Sequence, residues 1–250
     1  MELTVINSGS VGNCYLFDSG TSVLIVECGV SFKQIKEALN FNLRNVCGAL
    51  VTHEHMDHCK SVAEVAESGI DIYTSAGTIK AFHEKGWYGG SHRYKAVKQK
   101  QMFTVGEFKI IPFDVQHDCN EPLGFLINHE QCGNVLFVTD TYYVKHKFPG
   151  LNNILVEANY CKDIIAQKIW EGKIGGFLKN RIVQSHMSLQ TCQGLLQAND
   201  LKAVNNIVLI HLSDSNSDAV RFQNTIQADT GKKVHVATKG LKINLDKRPF

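Results

Sequence analysis

The most constraining stretch of this chain is VTHEHMDHCK, residues 51–60, which sets His53, His55, Asp57 and His58 within six consecutive positions. It continues VCGALVT, a nearly unbroken apolar run of the kind expected of a strand buried on both faces. In an extended segment His53 and His55 project from one face and can chelate one cation. Asp57 and His58 follow at the turn and can point to a second. Imidazole and carboxylate donors suit zinc, manganese or iron. Four such donors are half of a two-ion site, so the fold must bring other donors from distant strand ends to this bend.

Three later strand ends supply them. PFDVQHD delivers His117, VLFVTDT delivers Asp140, and IVLIHLS delivers His211. A polar residue that ends an apolar strand is well placed to face a cleft. Each one alone is explained as a hydrogen-bonded strand-end residue. Seven donors in this order are hard to explain that way.

The pattern between these points is β-rich, with helices interspersed. LTVI, NCYLF and SVLIVE read as strands joined by Gly/Ser turns. SFKQIKEALN opens with a Ser cap and carries Phe32, Ile35 and Leu39 at helical spacing. SVAEVAES and AGTIKAFHEKG read as helices around the strand IDIYTS, and residues 95–140 are strand-dense. NNILVEANY and NNIVLIHL read as strands, 161–171 and 188–199 as helices. SDAVRFQNTIQADTG is a helix closed by Gly231, and KVHVAT and LKINL are final strands. Strands thus cluster and then alternate with helices, twice. No linker or repeat interrupts them, so a single domain spanning 1–250, with two packed sheets and helices outside, is expected.

The 250 residues, 44% of them hydrophobic, can bury a sizeable core. A formal charge of +2 is too mild to announce a nucleic-acid binder and does not exclude one. No apolar run approaches the roughly 18 residues of a membrane span. MELTVINSGS has no basic flank followed by an apolar run, and the eight cysteines contain no C-x-x-C pair. A cytoplasmic protein with free, mostly buried thiols is the expectation.

With these residues in place, the chain resembles the metallo-β-lactamase fold superfamily, from SGSVGNCYLF to ATKGLKINL. The resemblance implies an α+β fold, an αββα sandwich of two mixed β-sheets flanked by helices, with the site at the sheet edges. It implies two divalent metal ions, zinc or manganese. One would be held by His53, His55 and His117, the other by Asp57, His58 and His211, with Asp140 bridging. Flavo-diiron proteins carry an acid at the place of His55, and the commonest zinc β-lactamases a Cys at that of Asp140. Glyoxalase II keeps the bridging Asp, so the ligands alone do not exclude it.

The stretch RIVQSHMSLQTCQGLLQ resembles a segment of tRNase Z and related phosphodiesterases, with His186 at the family's His and Glu157 in LVEANY at its acid. The usual His-Glu-Ala-Thr reads Val156-Glu157-Ala158-Asn159 here. Residues 118–139 read as a hairpin and leave no room for a tRNA-gripping arm. The SGSxGNCY start, CGVSFKQI, THEHxDH, HDxxEPLGF, SHMS and HLSDSNSDA together resemble the short WalJ/YycJ-like branch. That branch implies 5′-to-3′ exonuclease action on DNA, and similar proteins include phage and prophage products. Glu27 departs from an Asp common before Cys-Gly, and Ser61 from a Gly common after the His cluster.

The chemistry implied is attack on phosphorus by a metal-bridging hydroxide. Asp57, His186 and Glu157 are the catalytic candidates: His186 would protonate the leaving oxygen, and Glu157 would orient it and favour the imidazolium. The same pair also suits a helix-start cap and a strand-end ion pair. Lys60, Ser188 and Arg93 are candidate substrate contacts; Arg93 lies in SHRYKAVKQKQ, which equally suits an edge strand blunted by lysine. A DNA or nucleotide phosphodiester partner is expected, with monomer or homodimer left open. The rivals are a cyclic nucleotide phosphodiesterase of phage anti-defence type, a thioester or lactone hydrolase, and a non-catalytic module holding metal for stability.

Overall fold

A computed structural model describes residues 1–173 and 175–248. The first half runs β1 (Glu2–Asn7), β2 (Cys14–Asp18), β3 (Val23–Val26), α1 (Phe32–Ala38), β4 (Val46–Leu50), α2 (Met56–Cys59), α3 (Val62–Glu67), β5 (Ile72–Thr74), α4 (Ala76–Glu84) and β6 (Tyr94–Ala96). The second half runs β7 (Phe103–Val105), β8 (Phe108–Asp114), β9 (Leu123–His129), β10 (Gly133–Val138), β11 (Leu151–Glu157), α5 (Lys162–Trp170), α6 (Gly176–Ser185), α7 (Leu189–Gln197), β12 (Asn206–Ile210), α8 (Ala219–Thr230) and β13 (Lys233–Val236), before β14 (Lys242–Asn244).

Two sheets result, ordered β14-β1-β2-β3-β4-β5-β6 and β13-β12-β11-β10-β9-β8-β7. Each begins as an antiparallel meander and continues as parallel strands, β3 to β6 in one and β10 to β13 in the other, joined through helices except from β10 to β11, where residues 139–150 cross without one. The twofold cluster-then-alternate pattern of the sequence is this topology. β14 returns to pair with β1.

Period-two alternation assigns the faces. Leu3, Val5, Tyr15, Phe17, Leu24 and Val26 point inward and meet Phe108, Phe125, Phe137, Leu155 and Val208 of the other sheet. Cys14, Leu16, Val23 and Ile25 point outward, under Ile35 of α1, Val62 and Val65 of α3 and Phe82 of α4. On the far side Ile154, Val156, Ile207 and Leu209 pack beneath Leu195 and Leu196 of α7 and Phe222 and Ile226 of α8. These four layers are the αββα sandwich that the sequence resemblance implied.

Local signals explain the helix ends. Ser31 and Gln34 form a capping box at α1. Asp218 caps α8, which Gly231 closes at φ 63°. The sequence reading did not anticipate α2 or α6, whereas β7 lies within the stretch 95–140 that it reads as strand-dense. The helix α6 starts after Gly175 without a side-chain cap, which leaves no start signal in the sequence. Among the described residues no helix is long and apolar enough to cross a membrane.

Strand direction positions the site. The pairings give β1, β3 and β4 one direction in their sheet and β8, β10, β11 and β12 one direction in theirs, and the sheets pack so that these ends meet at one edge of the sandwich. Ser8, Glu27, His53, His117, Asp140, Glu157 and His211 lie at or just beyond those ends. The carboxyl ends of parallel strands are where ligands of such sheets bind.

Candidate metal centre

The seven donors of the sequence reading converge here. Ligand atoms of His53, His55, His117 and Asp140 lie within 4.8 Å of one another, as do those of Asp57, His58, Asp140 and His211. Asp140 belongs to both sets through different oxygens. Its Oδ2 lies 3.9 Å from His53 Nε2 and 3.7 Å from His117 Nε2. Its Oδ1 lies 3.3 Å from His58 Nε2 and 3.6 Å from His211 Nε2. That is the placement of a carboxylate shared between two cations. Asp140 and His211 leave their strands at φ 44° and 53°, a left-handed conformation that costs energy and recurs at functional sites.

The imidazoles are oriented to offer lone pairs. Thr52 Oγ1 donates to Glu27 Oε1 at 2.6 Å, so it accepts from His53 Nδ1 at 2.9 Å. His53 Nε2 is then a bare acceptor, buried and without a hydrogen-bond partner. His117 Nδ1 donates to the Ser185 carbonyl at 2.8 Å, which turns its Nε2 toward His55 Nδ1, 3.0 Å away. Two imidazole nitrogens meeting head-on beside an orphaned third fit a cation between them and fit little else.

The electrostatics gather negative charge around the donors, and the proton that they hold on His58 is one a bound cation would displace. Burial would push the His58 imidazole down, yet Asp140 and Glu27 outweigh it and hold its pKa well above the ordinary value. Burial would raise the Asp57 carboxyl, but bonds from His211 and His58 hold it below the carboxylate range. Asp140 is likewise depressed, its desolvation outweighed by His211 and His58. Burial instead pushes His53 and His117 down, keeping them neutral as ligands must be. The carboxylates of this centre call for positive charge, which divalent ions supply.

The surroundings lock the donors. Asn13 N–H donates to the Asp57 carbonyl at 2.7 Å, and the His211 N–H donates to Ser8 Oγ at 2.9 Å. Gly29 passes so close that a Cβ there would stand 1.7 Å from the Asp57 carbonyl oxygen. Ser61, one of the two departures, donates its hydroxyl to the Cys28 carbonyl at 3.1 Å. Glu27, the other, is the fully buried acceptor behind Thr52 and lies 3.4 Å from His58 Nδ1.

His186 and Glu157 meet at the same opening. Glu157 is fully buried, and its Oε1 lies 2.7 Å from His186 Nδ1. Its Oε2 accepts the Thr141 N–H at 2.9 Å and the Met187 N–H at 3.1 Å. Burial works against the imidazolium, but Glu157 prevails and raises His186 to about 9. His186 Nδ1 is 3.9 Å from Asp140 Oδ2.

The proposed substrate contacts fare differently. Lys60 is exposed at the C-cap of α2, beside the ligands. Ser188 is buried and its hydroxyl accepts the Thr191 N–H at 3.1 Å, capping α7, so helix initiation already occupies it. Arg93 precedes β6, at the amino ends of the parallel strands and opposite the site, and its guanidinium holds Asp71 at 2.9 Å. Strand polarity therefore removes Arg93 from the centre.

One supporting residue escaped the sequence reading. Glu54 sits between two ligands, and alternation turns its side chain away from them. Its Oε1 accepts both the backbone N–H of Asn120, at 2.9 Å, and the Asn120 side-chain amide, at 2.8 Å. It thereby clamps the loop that carries His117. An acid between two ligand histidines was the available signal.

A family model described as beta-lactamase superfamily domain matches residues 15–212. The chain belongs to this family. It is 28% identical over 231 residues to the exodeoxyribonuclease WalJ of Streptococcus pneumoniae, covering 86% of this chain and 83% of that one. It is 34% identical over 137 residues to the anti-Pycsar protein Apyc1 of Bacillus phage 010DV004, covering 47% and 53%. Among solved structures, the metallo-beta-lactamase fold protein YhfI of Bacillus subtilis superposes with a TM-score of 0.73 at 17% identity, covering 97% and 99%. Zinc-bound PqqB of Methylobacterium extorquens superposes at 0.72 with 14% identity, covering 98% and 100%. The fold expected from the sequence is the fold observed.

Proposed function

We propose that this protein is a dinuclear metal-dependent phosphodiesterase, acting as a 5′-to-3′ DNA exonuclease. The observation that carries the reading is Asp140, whose two oxygens serve two histidine sets while the His186–Glu157 pair stands 3.9 Å away. His53, His55 and His117 would hold one ion, and Asp57, His58 and His211 the other. Zinc suits these nitrogen and carboxylate donors, and the fold neighbour PqqB is zinc-bound. Bound there, divalent cations supply Lewis acidity toward water and phosphate oxygens.

The chain's own residues do the rest. His186 gives its proton to the leaving oxygen. Glu157 holds His186 charged and in one rotamer, and is itself held by the Thr141 and Met187 N–H groups. A thioester or lactone hydrolase has less use for such an acid, and a purely structural metal site has none. Kinship to WalJ over most of both chains supports DNA as substrate. The 34% identity with Apyc1 over 137 residues supports the second reading, a cyclic nucleotide phosphodiesterase.

The test is hydrolysis of 5′-labelled single- and double-stranded DNA beside a panel of cyclic mononucleotides, with protein reconstituted in zinc or manganese. His186→Ala and Asp57→Ala are compared with the wild type. Stepwise release of mononucleotides, lost in both variants, is expected. Turnover of a cyclic nucleotide with DNA intact moves the function to the second reading, and inertness toward all of them ends both.

A further inference from the structure

The segment TYYVKHKF, residues 141–148, leaves the centre directly after Asp140, and beyond Thr141 it has no part in the chemistry above. It interleaves aromatic and basic residues; Tyr142, Tyr143, Lys145 and Lys147 face outward, while Val144 and Phe148 anchor the segment in the core. Tyr142 is 43% exposed and Tyr143 56%. Lys145 and Lys147 are exposed as well. Tyr143, Lys145, His146 and Lys147 form one wall of a cavity of about 400 Å³, and Thr191 and Gly194 of α7 lie on the other.

This cavity is tied to the metal centre at both walls. Thr141 donates its N–H to Glu157 and its hydroxyl to the Tyr143 carbonyl, at 2.9 and 2.8 Å. Tyr142 N–H donates to the carbonyl of Gln116, the neighbour of His117, at 3.2 Å. Across the cavity, Thr191 bonds Ser188, two residues beyond His186. Thr141 and Ser188 thus connect the inner ends of the two walls to the surroundings of Glu157 and His186. The wall is net positive: Lys145 and His146 both lean on Asp114, whereas Lys147 makes no ion pair among the described residues.

We infer that this cavity receives a single-stranded polynucleotide next to the cleaved phosphate, a base stacking on Tyr143 and a backbone phosphate resting on Lys147. The inference rests on the DNA exonuclease reading and adds to it where the strand beyond the cleaved linkage lies. Exposed aromatic faces beside lysines are what single strands bind, because every base offers a π-face and every linkage a charge. A cyclic mononucleotide has no second unit to place there.

Three variants test it: Tyr143→Ala, Lys147→Ala and Gly194→Glu. A side chain at Gly194 enters open space, with no atom within 4 Å of its Cβ, and glutamate is the better helix former, so that variant folds while placing a negative charge in the cavity. Two readouts are taken on zinc-loaded protein: binding of a fluorescent oligothymidylate by anisotropy across a salt series, and turnover of bis(p-nitrophenyl) phosphate. Each variant should weaken oligonucleotide binding about tenfold. Lys147→Ala should also flatten the salt dependence by about one phosphate contact. Small-diester turnover should stay within about twofold, since it makes no use of the cavity. Unchanged oligonucleotide binding in all three variants, or parallel loss of small-diester turnover, overturns the inference. A wild type that turns over neither the small diester nor DNA overturns the phosphodiesterase reading instead, while the binding series still decides the cavity.

Discussion

Replacing Glu54 separates the clamp on the His117 loop from the ligands themselves. In Glu54→Ala, two normal-length bonds from Asn120, at 2.9 and 2.8 Å, disappear. The third contact, from Thr78 Oγ1, is long at 3.4 Å and contributes little. Bonds to a charged acceptor contribute about 1.5–3 kcal/mol each. Asn120 is exposed, so water can serve its freed donors and the lower end applies. The expected loss is therefore about 3 kcal/mol of stability in urea denaturation. The loosened loop should also weaken metal binding about 10- to 100-fold, as for other residues that orient ligands from behind. Glu54→Gln keeps the accepting oxygen that serves Asn120 and should lose no more than about 1 kcal/mol. Zinc affinity by competition with a chromophoric chelator, beside the urea curves, reads both effects. If Glu54→Ala loses stability with zinc affinity intact, or if Glu54→Gln is as damaging as Glu54→Ala, the clamp does not work as described.

Gly29→Ala should disturb the centre from outside the ligand set. The new Cβ forces two backbones apart by roughly 1.3 Å, the gap between 1.7 and 3.0 Å, at a cost of about 1–3 kcal/mol; the denaturation midpoint and zinc stoichiometry report it. The His186 pKa is raised to about 9 in the fold, so its acid role holds below that value and is lost as pH rises through it. Glu157→Gln should move this alkaline limb of the rate profile to lower pH, and an unmoved limb would assign it to another group. Adding zinc at a hundredfold over its Kd to chelator-stripped protein should stabilise it by about 2.7 kcal/mol for each ion bound. Asp140→Ala should abolish most of that gain in a thermal shift assay.

Much of the molecule was legible in one dimension because its signals are local. Apolar runs of strand length, a Ser31–Gln34 capping box and Gly231 past a helical stretch are decided by near neighbours, and they appear where the sequence placed them. The donor set was legible for a related reason. A histidine or aspartate ending an apolar strand stands out against the run before it, as His211 does after IVLI. Where no local signal exists the reading missed the element, as with the uncapped α6. Arg93 and Ser188 show a second kind of miss. Basic and hydroxyl side chains look alike in sequence whether they face a substrate, an Asp71 or a helix N-terminus.

What the sequence by itself determined is the inventory: which strands and most of the helices form, and which seven side chains can bind metal. Only the tertiary structure decided how they are used. The pairing of strands within each sheet and the packing of the two sheets chose the edge at which β4, β8, β10 and β12 all end, and so brought His53, His117, Asp140 and His211 together. The left-handed turn at Asp140 aimed one oxygen at each histidine set, and alternation turned Glu54 behind them to hold the loop. The physical reason is range. Propensity and capping act over a few residues, whereas which oxygen faces which imidazole depends on contacts between segments up to two hundred positions apart, such as His211 on Ser8.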